Sequence, residues 1–289
     1  MKTQKDISTH DAKSASPHNT NWIREHYDDD VHPPKKEWPA AQAGNVSSNN
    51  PLEFDLFWSM RSPYCYLVLD RILWLRSNFN VKINFRPILP IAVRTPEFFD
   101  RDKLPWYRWE YDMVDQHRIA KFHGIPFRRP NPEPVEQDTY PPATASLAIA
   151  KDQPLMWHLT RLAAASQEQK VGAEFLNQVS HLMWDGSTNN WPKHLVEYMD
   201  RAGMGGAATD ADVKANPAKY DAVIDANQSA HHATGHGGVP NMAFRGEPFF
   251  GQDRFDLFFC RLVENGLTQR SEPFPPLVPR PRNLPRFAP

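Results

Sequence analysis

The strongest candidate for a reactive centre is the sequence Ser62-Pro63-Tyr64-Cys65. Serine is a favoured N-cap residue and proline is common at the first helical position, so the motif predicts the start of a helix. Free backbone N–H groups and the positive end of the helix dipole stabilise an anion at such a place, above all a thiolate. Taken alone, the motif is more simply explained as a helix cap.

Cys65 follows Ser62 by three residues, one turn into the predicted helix. In a Cys-x-x-Cys pair the first cysteine attacks and the second resolves the mixed disulfide. Because serine occupies the first position here, the motif cannot form an internal disulfide. Cys65 is the one candidate redox thiol of the motif, but we expect it to be buried and unreactive, and we expect Cys260 to lie in the core.

Two later segments could also bind a ligand. The bond between Val239 and Pro240 precedes a predicted strand and can be cis, which would leave the Val239 backbone open to a peptide-like ligand. Gln252 and Asp253 open the last predicted helix. Asp253 could accept hydrogen bonds from an α-ammonium group, or it could simply cap the helix.

Two other clusters of residue types are less informative. His231, His232 and His236 lie close in sequence, but glycines interrupt a helix there and no Glu or Cys completes a set of ligands, so we predict no metal site. A group of aromatic residues could line an apolar substrate or could be ordinary core packing. These residues are Trp106, Tyr107, Trp109, Tyr111 and Trp191.

Composition excludes several function classes. The 289 residues contain 33 Lys and Arg against 34 Asp and Glu, so the chain has no excess of positive charge that would attract a polyanion. We therefore expect no nucleic-acid partner. No apolar run resembles a signal peptide or is long enough to span a bilayer, so we expect no membrane partner. Two cysteines far apart in sequence fit a reducing compartment, and the expected location is cytoplasmic.

The elements that position the motif form two groups around a helical block. A strand at Glu53–Trp58, a helix at Pro63–Asn78 and a strand at Val81–Pro87 should form a parallel strand–helix–strand unit. Strands resume at Asn241–Arg245 and Pro248–Phe250, before a last helix at Gln252–Asn265. The predicted helices between the two groups are Trp106–His123, Ala143–Ala150, Pro154–Gln167, Lys170–Trp184, Trp191–Ala202 and Pro217–Thr234.

This order predicts one α/β domain with a large insertion. Residues 51–94 and 236–270 should complete a single sheet, and residues 95–235 should form an inserted helical domain. Residues 1–50 are polar and predicted to be a largely disordered extension. Residues 271–289 form a Pro-rich tail that cannot continue a helix.

In this order, the motifs resemble the thioredoxin-fold family of 2-hydroxychromene-2-carboxylate isomerases, kappa-class glutathione transferases and DsbA-type thiol oxidoreductases. The likeness covers about residues 53–265. It extends to two further stretches, Asp115-x-x-Arg118-x-Ala120-x-x-x-Gly124-Ile125-Pro126-Phe127 and Gly235-His236-Gly237-Gly238-Val239-Pro240. The resemblance implies a thioredoxin-like fold, βαβ…ββα, with an all-helical insertion between its halves.

The resemblance also implies a cofactor and a reaction. Ser62, with Pro63 and Tyr64 beside it, would hold the sulfur of glutathione as a thiolate. Val239, before a cis Pro240, would pair with the cysteinyl backbone. Gln252 and Asp253 would bind the γ-glutamyl end. The isomerases of this family act in the breakdown of aromatic compounds, where reversible addition of a thiolate allows rotation about a former double bond.

Two departures from the family pattern affect this interpretation. The usual Ser-Pro-Tyr-Ser is here Ser-Pro-Tyr-Cys, which adds the Cys65 thiol. The family's Asn after the second strand is missing, and Arg94 is the residue that we expect to replace its contact.

Three functional hypotheses follow. The first is a glutathione-dependent isomerase or transferase acting on a small aromatic electrophile; the sequence does not identify that substrate, and a homodimer is compatible with it. The second is a thiol–disulfide oxidoreductase, which requires an accessible Cys65 of low pKa. The third is a non-catalytic binding protein, in which Ser62→Ala changes only helix stability, by about 1 kcal/mol.

Overall fold

A computed structural model describes residues 51–96, 106–137 and 149–272, and for residues 106–110 it describes the backbone alone. The predicted N-terminal extension and most of the Pro-rich tail lie outside these ranges. So does most of the predicted helix Ala143–Ala150. Its described end differs from the prediction, because Ile149 pairs with Gln137 in an isolated β-bridge.

Four strands form one sheet, in the order β2-β1-β3-β4. Strand β1 (Leu52–Trp58) is parallel to β2 (Val81–Pro87) and is joined to it through helix α1 (Pro63–Asn78). Strand β3 (Asn241–Phe244) is antiparallel to both β1 and β4 (Glu247–Phe250). Both ends of the folded unit therefore share one sheet, which confirms the predicted thioredoxin-like fold class.

The helices between β2 and β3 account for most of the described chain there. In chain order they are α2 (Ile91–Arg94), α3 (Trp106–His123), α4 (Pro154–Glu168), α5 (Gly172–Phe175), α6 (His181–Trp184), α7 (Leu195–Arg201), α8 (Gly206–Ala215) and α9 (Pro217–Ala233). A π-helical turn, Leu176–Ser180, joins α5 to α6, and a 3-10 turn, Trp191–His194, precedes α7. After β4, a 3-10 turn at Gln252–Arg254 leads into the last helix, α10 (Phe255–Glu264).

Two predictions about these helices were wrong in detail. The predicted helix Lys170–Trp184 begins two residues later and contains the π-helical turn. Helix α8 was missed, because Gly205 and Gly206 lie at its start and because it buries few apolar side chains. The division of the chain into domains at residues 94 and 236 stays a prediction.

The sheet is covered by helices on both faces. Along β1, alternate side chains point to opposite faces. Phe54 packs edge-on against Phe258 of α10, with ring centroids 4.7 Å apart. Phe57 is fully buried on the other face, where its ring lies 4.9 Å from that of His231 in α9. The core therefore continues from the sheet into the helices that carry the candidate site residues.

Candidate functional site

The candidate site lies where β1 ends and β3 begins. In the antiparallel pairing Phe57 lies opposite Asn241, so the chain leaving β1 and the chain entering β3 meet at one edge of the sheet. The Ser62 hydroxyl oxygen lies 3.5 Å from the Val239 carbonyl oxygen. The structure thus brings together two segments that the sequence separates by 177 residues.

Ser62 caps helix α1 as predicted. Its backbone is extended, its hydroxyl oxygen accepts a hydrogen bond from the Cys65 N–H at 3.4 Å, and Pro63 opens the helix. No acidic residue lies in the first turn of α1. The positive end of the helix dipole is therefore not offset by a local carboxylate, and an anion placed beside Ser62 would be stabilised there.

Cys65 is sealed in the core, as predicted. It has no exposed surface, and burial raises the pKa of its thiol to about 12, although weaker hydrogen bonds from the Ser59 backbone and the Ser62 side chain lower it. The thiol stays protonated at neutral pH. The accessible, low-pKa cysteine that the oxidoreductase hypothesis requires is therefore not found at this position.

The prediction for Cys260 was wrong. Cys260 is exposed, because the buried face of α10 is formed by residues at other positions of the helix. Those residues are Phe255, Phe258, Arg261 and Leu262. The chain thus has a buried thiol in the candidate site and an exposed one on α10.

The loop from Ser59 to Ser62 is held by side chains from the middle of the chain. The Trp184 indole N–H donates to the Met60 carbonyl oxygen at 3.0 Å. Arg61 makes a two-pronged ion pair with Glu133, with N–O distances of 3.0 and 3.2 Å. These contacts fix the approach to helix α1 and hence the position of the Ser62 hydroxyl.

The loop from Gly237 to Pro240 approaches the site from the other side. The peptide bond between Val239 and Pro240 is cis. A Cβ atom at Gly238 would lie 2.2 Å from the Phe250 ring, so a side chain there would require the ring to move. The Gly251 N–H donates to the Pro240 carbonyl oxygen at 2.9 Å and ties the end of β4 to this loop.

Three side chains hold the same loop by its backbone. The Gly238 N–H donates to His236 Nδ1 at 3.0 Å, and His231 Nε2 lies 2.9 Å from the Gly238 carbonyl oxygen. Arg94, the last residue of α2, donates to the carbonyl oxygens of Leu89 and Gly237 at 2.8 and 3.0 Å. Arg94 therefore supports the loop, and its direct contact with a ligand stays a prediction.

Burial controls the protonation of these side chains. It lowers the pKa of His231 to about 4, with a further contribution from the Arg94 charge. Burial also lowers the pKa of His236 and of Arg94. Both imidazoles are consequently neutral at neutral pH.

Tyr64 faces helix α3. Burial raises the pKa of its phenol to about 12, and the carboxylates of Asp112 and Asp115 raise it further. Gln116 hydrogen-bonds the phenol from the same helix. Tyr64 thus contacts α3 and keeps its proton at neutral pH.

The aromatic residues singled out in the sequence do not form one wall. Trp191 is fully buried and donates its indole N–H to the Pro132 carbonyl oxygen at 2.8 Å, so it belongs to the core. Tyr111 is 58% exposed on α3. The remaining side chains lie outside the described part of the structure; they are Trp106, Tyr107 and Trp109.

Gln252 and Asp253 lie in the turn that opens the last helical segment. Gln252 is buried, and its side-chain oxygen accepts a hydrogen bond from Arg71 of α1 at 2.5 Å. Asp253 is exposed and pairs with Arg254 at 2.8 Å. Their role in ligand binding stays a prediction, and Arg71 is a neighbour that the sequence did not reveal.

A match over most of the described chain identifies the family. The DsbA-like thioredoxin domain family matches residues 53–262 of the chain. The chain belongs to the DsbA-like thioredoxin family. This confirms the resemblance inferred from the motifs.

Solved structures support the shared fold of this DsbA-like protein. A 2-hydroxychromene-2-carboxylate isomerase superposes with a TM-score of 0.54 and 19% sequence identity, over 73% of this chain and 95% of the isomerase. A probable DsbA oxidoreductase from Streptomyces coelicolor superposes with a TM-score of 0.50 and 15% identity, over 74% and 89% of the two chains. Identities this low establish the fold alone. No curated protein shows significant sequence similarity to the chain.

Two other properties concern only the described ranges of this DsbA-like protein. They contain no group of three or more His, Cys, Asp or Glu side chains arranged to hold a metal ion. None of their helices combines the length and the apolar character needed to cross a bilayer.

Proposed function

We propose that this DsbA-like protein binds glutathione with the sulfur at Ser62 and acts as a glutathione-dependent isomerase or transferase on a small aromatic electrophile. One observation carries the proposal. The helix N-terminus that can stabilise a thiolate presents the Ser62 hydroxyl, while the thiol beside it, Cys65, is sealed and stays protonated. The reactive sulfur of this site is therefore expected to come from a bound thiol compound.

The hydrogen bonding of Ser62 suits this role. Its oxygen already accepts the Cys65 N–H, so its one proton remains to be donated. The Val239 carbonyl oxygen lies 3.5 Å from the Ser62 hydroxyl oxygen, which is at the limit of a hydrogen bond. Donation to a bound sulfur would replace this weak contact with a charge-assisted hydrogen bond.

The same exchange would prepare Val239 for the ligand. Once the Ser62 proton turns to the sulfur, the Val239 carbonyl oxygen can accept the cysteinyl N–H of glutathione. Asp253, which is exposed, would take the α-ammonium group of the γ-glutamyl end. Gln252 would contribute from its place beside Arg71.

The reaction that we propose for the thiolate is reversible addition to a conjugated double bond. A carbon–sulfur bond forms and the electron pair of the double bond moves to a conjugated oxygen. Rotation about the resulting single bond and expulsion of the thiolate give the isomer with no net oxidation. In the transferase reaction, the adduct instead takes up a proton from solvent and is released. Tyr64 follows Ser62 by two residues and is hydrogen-bonded to Gln116 of α3, so we expect the electrophile to bind beside Tyr64.

A calorimetric titration tests the glutathione site. Wild-type protein should bind glutathione, and Ser62→Ala should weaken binding by about tenfold or more, because a charge-assisted hydrogen bond is lost. Cys65→Ala is the matched control: it changes a neighbouring side chain on the same helix and should bind as the wild type does. Binding that is absent in the wild type, or that survives in Ser62→Ala but not in Cys65→Ala, would contradict the proposal.

A further inference from the structure

We propose that His236 and His231 are positioning residues, which fix the backbone at Gly238 through hydrogen bonds to its N–H and its carbonyl oxygen. Protonation of His236 breaks its hydrogen bond and weakens ligand binding at acid pH. The inference rests on the proposed function, in which Val239 pairs with the ligand backbone. It assigns a role to two histidines for which the sequence suggested no function.

The two imidazoles contact the two peptide groups that flank the Gly238 Cα atom. His236 Nδ1 accepts the Gly238 N–H at 3.0 Å, and His231 Nε2 lies 2.9 Å from the Gly238 carbonyl oxygen. The His236 ring stacks on Phe250, with ring centroids 4.0 Å apart and planes inclined by 22°. The imidazole of His236 is therefore fixed both by its hydrogen bond and by an aromatic partner.

Glycine makes such support necessary. Gly237 and Gly238 precede Val239, and glycine restricts the backbone less than any other residue. A Cβ atom at Gly238 would lie 2.2 Å from the Phe250 ring, so a side chain there would displace the ring that stacks on His236. Hydrogen bonds from neighbouring side chains can fix the direction of the Val239 backbone without such a displacement.

The two histidines respond differently to a proton. His236 Nδ1 can accept the Gly238 N–H only while it carries no hydrogen, so protonation turns an acceptor into a donor that faces another donor. His231 donates from Nε2 to a carbonyl oxygen, and it remains a donor when it is protonated. Loss of the loop contact on acidification is thus expected at His236.

The groups that face this pair favour the neutral forms. Arg94 of α2 contributes positive charge towards His231, as His236 and His232 would if protonated, and β4 contributes the aromatic ring of Phe250 against His236. Burial lowers the pKa of His236 below its ordinary value of 6.5. The loop is therefore held at neutral pH and should loosen on the acid side of that value.

Two variants separate the hydrogen bond from the ring stacking. His236→Asn places a side-chain oxygen near the position of Nδ1 and keeps an acceptor that does not titrate. His236→Phe keeps an aromatic ring against Phe250 and removes the acceptor. Binding is measured with S-methylglutathione, which has no thiol to ionise, so its affinity reports the loop and not the sulfur.

The experiment has a readout with ligand and one without. Affinity for S-methylglutathione and the hydrogen-exchange protection of the Gly238 amide are measured from about pH 5 to pH 8, with the His236 pKa taken from its own NMR titration. In the wild type, both quantities should fall together as the pH drops through the His236 pKa. His236→Asn should keep both at all pH values, and His236→Phe should lack protection and bind about tenfold more weakly throughout.

The outcomes distinguish this inference from the proposed function. If the wild type binds no S-methylglutathione at any pH, the proposed binding site and the ligand half of the inference are wrong, while Gly238 protection still decides whether His236 holds the loop. If Gly238 protection in the wild type does not change with pH, or if His236→Asn keeps the wild-type pH dependence, the positioning role of His236 is overturned.

Discussion

The two loops that meet at the candidate site are held in different ways. The Ser59–Ser62 loop is fixed by the Trp184 indole and by the ion pair of Arg61 with Glu133. The Gly237–Pro240 loop is held by Arg94 and by two imidazoles, which gain charge only at acid pH because burial lowers the pKa of both. The first loop should therefore depend on packing and the second on pH.

The residues that hold the two loops come from the same part of the chain. Glu133, Trp184 and His231 all belong to the chain between β2 and β3. The helical part of the molecule thus does more than cover the sheet, since it sets the relative position of Ser62 and Val239. The difference between the loops can be tested by disturbing each support separately.

The largest effect is expected at Trp184. Trp184→Ala should lower the free energy of unfolding by about 3 to 5 kcal/mol, because a fully buried indole is lost. Trp184→Phe keeps a ring against Tyr66 and removes the N–H donor to Met60, and should cost about 1 kcal/mol. Urea unfolding at neutral pH measures both. A cost below 1 kcal/mol for Trp184→Ala would show that this loop does not depend on the packing of Trp184.

The second largest effect is expected from His231, which should make the stability of the folded protein sensitive to acid. Its pKa is about 4 in the folded protein against an ordinary value of 6.5, so the folded state binds the proton less readily than the unfolded state. The contribution of neutral His231 to the free energy of unfolding is fully present above pH 6.5. It decreases by about 3 kcal/mol as the pH falls towards 4. His231→Gln keeps a side-chain donor to Gly238 without titrating.

Unfolding measured at several pH values tests this expectation. The stability of the wild type should fall more steeply than that of His231→Gln between pH 6.5 and pH 4. Parallel curves for the two proteins would mean that His231 does not contribute to acid sensitivity. Trp184→Phe provides the comparison between the loops, because its difference from the wild type should not change with pH.

Local sequence patterns predicted the framework of the site. The helix start at Ser62 and Pro63 was correct to the residue, since N-cap and proline preferences act over a few positions. The cis bond before Pro240 and the single sheet were also found as expected. Each of these features depends on nearby residues or on the order of the elements.

The supports of the loops could not be predicted in the same way. Trp184 and Met60 are 124 residues apart, and Arg61 and Glu133 are 72 residues apart, so their pairing depends on tertiary packing. The exposure of Cys260, in contrast, could have been predicted from the sequence. Phe255, Phe258 and Leu262 follow helical spacing, which places residue 260 on the opposite face of α10.

The most direct test of the account is the ionisation of bound glutathione at Ser62. Thiolate absorbance is measured against pH for glutathione bound to the wild type and to Ser62→Ala, at saturating protein, in a Cys260→Ser background that removes the exposed thiol. Cys65, with a pKa of about 12, adds no thiolate signal near neutrality. We expect a bound thiol pKa in the wild type below the ordinary value of about 8.5, and a return towards that value in Ser62→Ala. An unshifted pKa in the wild type, or the same lowered pKa in both proteins, would contradict the claim that Ser62 stabilises the thiolate.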